Sequence, residues 1–423
     1  MEGPGLPGPM CAFRMGRRDN RLNNYFNERE RVSDMKSALK TWAVRGLGMA
    51  SLLSLLATTA TMAPAMAADP IVMGIETDMA SFSGDEENLG FRLAFKEANS
   101  AGGVNGRQIE WSGYPRKGAS SDQIAANARR MVVQDKVFAM INMGGPLAIE
   151  AAKIAQEQKV PLLFPHTGLI SSVGKRYVFT SFPSYEGEAR LMFKYLPQQR
   201  GLRKIGIVHD ENVYGQLFLN QLKELSAANG YEVVGNEPVR TRNPTDLSGE
   251  LERLGKAGAD GIVMALYPAQ AKVLMNAKAS QQWPGRMISV GPLTDEEYLV
   301  LPNGAADGTL GFCYYPDPNG SKEPGIERYR QAMTKYEPGH LLNRYSMYGY
   351  VFGRLVVEGL TRAGPDVDRE KFVDAMESIK DWNPQGVMPP VSFSRENHHA
   401  QFAGFICELK QGKFEPLSGW VVP

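Results

Sequence analysis

Short apolar runs alternate with amphipathic stretches over residues 70–291, and this pattern predicts parallel strands connected by helices. Between the runs, apolar side chains recur at helical spacing, for example at Leu89 and Leu93 and at Leu222 and Leu225. The runs predict strands at 71–75, 108–113, 137–142, 161–164, 204–209, 231–234, 261–265 and 287–290. The chain is therefore expected to adopt an α/β fold.

The strand and helix pattern occurs twice, with a break near residues 185–188, and so predicts two doubly wound lobes with a hinge and a ligand cleft between them. After residue 291 the alternation weakens into helical stretches at 325–336, 345–363 and 369–379 and an alternating tail at 391–409. These segments are too few for a third domain, so we expect them to complete the two lobes. The predicted lobes are 69–186 with about 317–388, and 187–316 with about 389–423.

Residues 35–67 have the pattern of an export signal. A basic region is followed by an apolar run at 47–60 and by Ala65-Met66-Ala67, the small-x-small pattern that a signal peptidase recognises. The run of about 15 apolar residues is shorter than the roughly 20 that span a bilayer, which argues against a membrane anchor. We expect cleavage after Ala67 and a periplasmic location. Residues 1–34 are interpreted as a disordered, non-native upstream extension.

Composition and charge narrow the range of partners. The chain has 47 Lys and Arg against 46 Asp and Glu without a block of either sign, which argues against nucleic acid or a membrane surface as the main partner. Cys313 and Cys407 could pair after export, but two isolated positions leave free buried thiols equally open. Neither cysteine has the neighbours of a metal site, and no cofactor is expected.

Motifs along the chain resemble those of the periplasmic leucine/isoleucine/valine-binding proteins of ABC importers. They lie at 69–75, 99–107, 160–165, 207–210, 214–215, 246–254 and 258–260, in the family's order. The resemblance implies a type I periplasmic binding fold, which closes by a hinge around a solute and delivers it to ABC permease subunits in the cytoplasmic membrane. The implied solute is a small organic acid or an amino acid.

The resemblance places the solute's carboxylate at two turns, which follow the third and fourth predicted strands. The first contains Gly145, Pro146 and Leu147, and the second contains His166, Thr167 and Gly168. Glycine lets backbone N–H groups approach an anion, and the Thr167 hydroxyl is a further donor. Ordinary strand-to-helix turns are the alternative interpretation, and His166 is either a contact or a structural residue.

Tyrosines recur where the resemblance implies side chains that line the cleft. They are Tyr185, Tyr214, Tyr267 and either Tyr345 or Tyr348. Tyrosine has an apolar face and a polar tip, which suits a partly apolar solute. Because the chain has 16 tyrosines, packing in the core is the alternative for any one of them.

Leu293 stands where amino-acid binders of this family hold the solute's amino group with an acidic residue. A buried ammonium group without a carboxylate partner would be costly. Asp295 or Glu296 could replace the missing acid if the turn is shifted. The sequence therefore favours an aromatic or short aliphatic acid as the solute, with a branched-chain amino acid next.

An enzyme and a ligand-sensing receptor of the same fold are the alternatives to transport. The chain contains no Gly-x-Ser-x-Gly, no Gly-x-x-x-x-Gly-Lys and no dinucleotide fingerprint after the first predicted strand, so catalysis is not expected. A sensor would usually carry an anchoring helix or a signalling domain. The export signal instead favours a free binding protein.

Overall fold

The computed structural model describes residues 69–78, 82–116, 121–141, 143–144, 148–294, 304–400 and 403–422. Several predictions from the sequence fall outside these residues, namely the export signal and upstream extension, the turn at Gly145, Pro146 and Leu147, and the alternative acids Asp295 and Glu296. Within the described residues, no helix is long and apolar enough to cross a membrane.

The strands form two sheets, and the apolar runs of the sequence account for most of them. In chain order they are β1 (Ile71–Asp78), β2 (Ile109–Arg116), β3 (Ala139–Ile141), β4 (Leu162–Leu163), β5 (Val178–Phe179), β6 (Lys204–Asp210), β7 (Glu232–Val239), β8 (Gly261–Ala265), β9 (Arg286–Ser289), β10 (Leu310–Cys313), β11 (Phe405–Lys410) and β12 (Lys413–Pro416). Strands β3, β4 and β8 are buried along their whole length, as expected for parallel strands covered on both faces.

Helices connect the strands and cover the sheets. They are α1 (Phe82–Ser100), α2 (Ser121–Arg129), α3 (Ala148–Gln158), α4 (Tyr185–Arg200), α5 (Val213–Asn229), α6 (Ser248–Lys256), α7 (Pro268–Gln281), α8 (Pro324–Tyr336), α9 (Arg344–Ala363) and α10 (Arg369–Glu377). A π-helical turn, Arg130–Gln134, continues α2, and a short 3-10 turn, Gly291–Leu293, follows β9. The three late helices therefore begin within one residue of their predicted starts at 325, 345 and 369.

Among the described residues, the first sheet has five parallel strands in the order β2-β1-β3-β4-β5. The second sheet has seven strands in the order β12-β11-β10-β9-β8-β6-β7, of which β11 and β12 are antiparallel to their neighbours. We call each sheet with the helices packed on it the first and the second lobe. Helices α1, α9 and α10 pack together in the first lobe, and α4 packs on α5 and β10 in the second.

Cys313 and Cys407 form a disulfide between the neighbouring strands β10 and β11. Their Cα atoms are 6.0 Å apart, and 94 positions separate them in the sequence. This settles the alternative that the sequence left open between a disulfide and two free thiols. The bond joins the last parallel strand of the second sheet to its antiparallel extension.

The late segment 391–400 lies beside the first sheet, whereas the sequence assigned residues from about 389 onward to the second lobe. The Thr180 N–H donates to the His398 carbonyl at 3.0 Å, and the Ala400 N–H donates to the Thr180 carbonyl at 2.8 Å. The rings of Phe179 and Phe393 also pack edge to face. Backbone pairing beyond β5 therefore keeps this segment with the first lobe, and the chain joins the second sheet only at Phe405.

Two glycines allow α1 and α9 to cross closely. A Cβ atom at Gly90 would lie 2.1 Å from the Ser346 carbonyl oxygen, and one at Gly349 would lie 1.9 Å from the Glu87 carbonyl oxygen. No larger residue fits at either position without separating the helices. The crossing fixes Glu87 and the first turn of α9, in which the Tyr345 hydroxyl bonds to the Pro292 carbonyl of the second lobe.

Candidate ligand-binding site

Each sheet has one position where the strand order reverses, between β1 and β3 in the first sheet and between β6 and β8 in the second. In open α/β sheets, ligands bind in the crevice at the carboxyl ends of the strands near such a position. Tyr214 follows β6 and Tyr267 follows β8, so both lie at this edge of the second sheet. His166, Thr167 and Gly168 follow β4 at the corresponding edge of the first.

The turn after β4 is in contact with the start of helix α4. Thr167 is 1% exposed, and its hydroxyl oxygen accepts a hydrogen bond from the Leu169 N–H at 3.2 Å. The Tyr185 N–H donates to the Gly168 carbonyl at 3.3 Å. A Cβ atom at Gly168 would lie 2.5 Å from the Pro183 carbonyl oxygen and 2.7 Å from the Tyr185 ring, so the contact requires glycine.

The turn with Thr167 and Gly168, where the sequence predicted donors for an anion, packs against Tyr185. Burial raises the pKa of Tyr185, whereas hydrogen bonds from the Gly168 backbone and from the Thr167 side chain lower it and are outweighed. Tyr185 is only 6% exposed.

A row of tyrosines extends from Tyr185 across the second lobe. The rings of Tyr185 and Tyr214 pack edge to face with centroids 5.1 Å apart, and those of Tyr214 and Tyr267 are 5.5 Å apart. The Tyr267 hydroxyl accepts a hydrogen bond from Asn212 Nδ2 at 3.0 Å, and the Arg242 guanidinium lies 3.5 Å from the Tyr267 ring centroid. Three predicted tyrosines thus form one continuous surface.

Local capping explains the position of Tyr214. Asn212 is the N-cap residue of α5, and its Oδ1 accepts from the N–H groups of Tyr214 at 3.0 Å and Gly215 at 3.3 Å. Asparagine is a favoured residue at this position because its side chain satisfies otherwise unpaired helix donors. Asp210, at the end of β6, in turn accepts from the Asn212 N–H at 3.1 Å. These bonds fix the first turn of α5 at the strand edge.

His166 contributes to a second group of contacts, on the first lobe. Its Nδ1 forms a hydrogen bond with Oε1 of Glu87, whose side chain is fully buried on α1. The imidazole packs edge to face on Phe182 at 4.7 Å and lies 6.0 Å from the Tyr345 ring. The Tyr345 hydroxyl donates to the Pro292 carbonyl at 2.7 Å and so connects the first lobe to the turn after β9.

Leu293 is fully buried in that turn, where its N–H donates to the Val290 carbonyl at 2.8 Å. Beside it lies a carboxylate from another helix, that of Glu188 on α4. The Gly291 N–H donates to Glu188 Oε1 at 2.6 Å, and the Tyr314 hydroxyl donates to Oε2. Burial raises the pKa of Glu188 to about 8, although both of these hydrogen bonds lower it.

The structure brings together the described residues that the sequence singled out, namely His166, Thr167, Gly168, Tyr185, Tyr214, Tyr267, Leu293 and Tyr345. It adds others that the sequence analysis missed: Glu87, Phe182, Glu188, Tyr314 and Tyr315. Phe182 contacts the rings of Tyr314 and Tyr348 at 5.5 and 5.0 Å. Tyr315 is buried, and its hydroxyl has no hydrogen-bond partner among the described residues.

These residues form the contact between the two lobes, which we call the lobe junction. It has no features of a metal site, since the described part of the chain contains no group of three or more His, Cys, Asp or Glu side chains arranged to hold an ion. It consists of aromatic rings, a few hydroxyls and backbone N–H groups. Such a lining suits a small, partly apolar molecule with one polar end. Two α/β lobes with such a junction at the carboxyl ends of their strands are typical of periplasmic binding proteins with a type I fold.

The chain belongs to the periplasmic binding protein family, whose model matches residues 74–413. Among curated relatives, it is 24% identical to Leu/Ile/Val-binding protein homolog 3 of Brucella melitensis, over 73% of this chain and 83% of the relative. It is 22% identical to the leucine-, isoleucine-, valine-, threonine- and alanine-binding protein of Pseudomonas aeruginosa, over 76% of this chain and 86% of the relative. The family predicted from the sequence is therefore confirmed.

Solved structures with the same fold cover 84% of this chain. A possible leucine/isoleucine/valine-binding protein from Rhodopirellula baltica has a TM-score of 0.74 at 20% identity, with 98% of its chain covered. A fatty acid ABC transporter substrate-binding protein from Thermomonospora curvata has a TM-score of 0.73 at 20% identity, with 93% of its chain covered. A branched-chain amino acid ABC transporter protein from Thermus thermophilus with bound valine has a TM-score of 0.72 at 17% identity, with 97% of its chain covered. The predicted type I periplasmic binding fold is thus confirmed.

Proposed function

We propose that this protein is the extracytoplasmic solute-binding subunit of an ABC importer and captures a small apolar carboxylic acid by hinge closure. Aromatic acids and short aliphatic acids are the favoured solutes. The observation that carries the proposal is the aromatic lining of the lobe junction, where a row of tyrosine rings leads from the Thr167–Gly168 turn into the second lobe and the buried Leu293 lies in the turn after β9. Membership of a binding-protein family supports a transport role over catalysis.

The carboxylate of the solute would be held by the Thr167 hydroxyl and the Gly168 N–H. Hydrogen bonds from the Thr167 side chain and the Gly168 backbone lower the pKa of Tyr185, and we infer that a carboxylate would compete for the same donors. Hydrogen bonds to a charged acceptor contribute about 1.5–3 kcal/mol each, more than those to a phenol. A solute carboxylate would therefore take these donors from Tyr185, whose ring would remain as one wall of the site.

The apolar body of the solute would pack against the aromatic surface. The rings of Phe182 and Tyr345 lie 4.7 and 6.0 Å from that of His166, and Tyr214 extends the surface from Tyr185 into the second lobe. Rings of this kind bind apolar groups through their faces while their hydroxyls remain paired. The Tyr214 hydroxyl, for example, donates to the Leu266 carbonyl at 3.5 Å and is not turned toward a polar solute.

Among the described residues, which do not include Asp295 and Glu296, an amino group on the solute would find no charged partner beside Leu293. Glu188 is the nearby acid, but Gly291 and Tyr314 already bond to its two oxygens. With a pKa of about 8, its carboxyl is mostly protonated at pH 7 and provides little countercharge. A buried ammonium group would therefore be poorly compensated.

A branched-chain amino acid is the second candidate, and Glu188 is the observation that favours it. Several relatives are named for such solutes, and one of the similar structures has bound valine. An arriving ammonium group would stabilise the ionised form of Glu188 if the Tyr314 hydroxyl released it. In that case Glu188 would replace the missing acid at Leu293.

Substitution of Leu293 tests the proposal. We expect Leu293→Glu to bind leucine or valine more tightly than the wild type does, and Leu293→Gln, of matched size but without charge, to bind them no better. Thermal shift with each amino acid measures this, because a ligand that binds the folded state raises the melting temperature. The proposal would be contradicted if leucine or valine strongly stabilised the wild type while simple carboxylic acids did not.

A further inference from the structure

A surface depression of about 540 Å³ lies at the amino ends of β1 and β3, at the opposite edge of the first sheet from the lobe junction. Four cationic side chains line it, those of Arg107, Lys136, Lys159 and Arg369. Its remaining lining includes apolar side chains, among them Pro70 and Phe138. We call this feature the basic depression.

None of these cations has a carboxylate partner among the described residues. Arg107 Nε donates to the Asp69 carbonyl at 2.7 Å, which leaves the charge uncompensated. Arg369 donates to the carbonyls of Val137 at 2.8 Å and Phe138 at 3.2 Å, and burial lowers the pKa of its guanidinium. The two lysines are exposed.

The acidic residues at the rim are already engaged. Asp368 is the N-cap residue of α10, and its Oδ1 accepts from the Lys371 N–H at 2.8 Å. Glu370 accepts a hydrogen bond from the Tyr177 hydroxyl and lies 3.4 Å from Arg176. Neither carboxylate is paired with the cations of the depression, which therefore keeps an excess of positive charge.

We propose that the basic depression binds a small organic dianion, a phosphate ester or a dicarboxylate with an apolar body. Four cations against the two rim carboxylates leave two positive charges, which a dianion would neutralise. Phe138 and Pro70 provide the apolar contact, and the volume lies in the range of small-molecule sites. This site is independent of the solute at the lobe junction.

Calorimetric titration with phenyl phosphate and with inorganic phosphate, at constant ionic strength, tests the proposal. We expect phenyl phosphate to bind more tightly, because only it contacts the apolar lining. The variant Lys136→Asn/Lys159→Asn should weaken phenyl phosphate binding about tenfold, the effect of losing two exposed ion pairs. Asparagine is chosen because Lys136 and Lys159 have positive φ angles of 49° and 53°, which it tolerates.

The control variant Lys223→Gln/Lys272→Gln removes two exposed lysines elsewhere and so changes the net charge equally. We expect it to bind phenyl phosphate as the wild type does. The proposal is overturned if neither ligand binds at about 10 mM, if inorganic phosphate binds as tightly as phenyl phosphate, or if the two variants lose affinity to the same extent.

Discussion

Glu188 lies on the buried face of α4, where an apolar residue would be usual. Tyr185 and Met192, three residues before it and four after it, are both buried. The carboxyl joins α4 to the turn at Gly291 and to Tyr314, which follows β10. A single side chain thereby fixes the turn that holds Leu293 at the lobe junction.

Glu188 should make stability depend on pH. Its pKa rises from 4.5 to about 8 on folding, so between these pH values the folded protein retains a proton that the unfolded chain has lost. The free energy of unfolding should then fall as pH rises from 5 to 8, by at most about 1.4 kcal/mol per pH unit. Urea unfolding of the wild type and of Glu188→Gln should show the variant gaining relative stability over this range. A difference that does not change with pH would contradict the assignment.

The Thr167 hydroxyl should contribute to solute affinity. Thr167→Val keeps the shape of the side chain and removes a donor to the carboxylate, so affinity for the bound acid should fall about tenfold or more. Thr180→Val is the matched control, since Thr180 is equally buried but bonds to His399 in the first lobe. Calorimetry on both variants measures this, and equal losses of affinity would show that Thr167 has no direct role.

At the residue scale, the sequence could locate side chains that follow strands but not those that reach across the fold. Thr167 and Tyr214 come directly after β4 and β6, so their position at the junction follows from the strand pattern. The pairing of Glu188 with Gly291 spans 103 positions, and nothing local indicates it. For Glu188, the available signal was an acidic residue between Tyr185 and Met192 on an apolar helical stripe.

At the scale of elements, the crossing of α1 and α9 depends on glycine. Gly349→Ala would place a methyl group 1.9 Å from the Glu87 carbonyl oxygen, so we expect a loss of about 1–3 kcal/mol of stability. Gly113→Ala on β2 is the control, because a Cβ there meets nothing within 4 Å, and it should change stability by about 0.5 kcal/mol or less. Chemical denaturation provides both values, and equal effects would exclude a tight crossing.

Most strands were predictable because parallel strands are apolar on both faces. β8 has the predicted bounds, whereas β7 extends to Val239 through Gly235-Asn236-Glu237-Pro238 at the sheet edge. β5 has only two residues and gives no periodic signal. The segment 391–400 was assigned to the wrong lobe because its partner, Thr180, lies outside any long strand.

At the scale of the whole molecule, the disulfide fits a protein that folds outside the cytoplasm. It closes a long loop, since 94 positions separate Cys313 and Cys407, and such cross-links typically stabilise by about 2–4 kcal/mol. We expect Cys313→Ser/Cys407→Ser to lower the free energy of unfolding by this amount. Urea unfolding measures the loss. Two free thiols at these positions in the exported wild-type protein would contradict the pairing.

The two-lobe architecture was predictable from the repeated pattern, but the contacts between the lobes were not. Tyr345 and Pro292 meet only after both lobes have folded. The direct test is calorimetric titration with pairs that differ only in the amino group, leucine against 4-methylpentanoate and phenylalanine against 3-phenylpropanoate. We predict that the acid of at least one pair binds about tenfold or more tightly than its amino acid. If neither acid binds more tightly than its matched amino acid, the proposed solute class is contradicted.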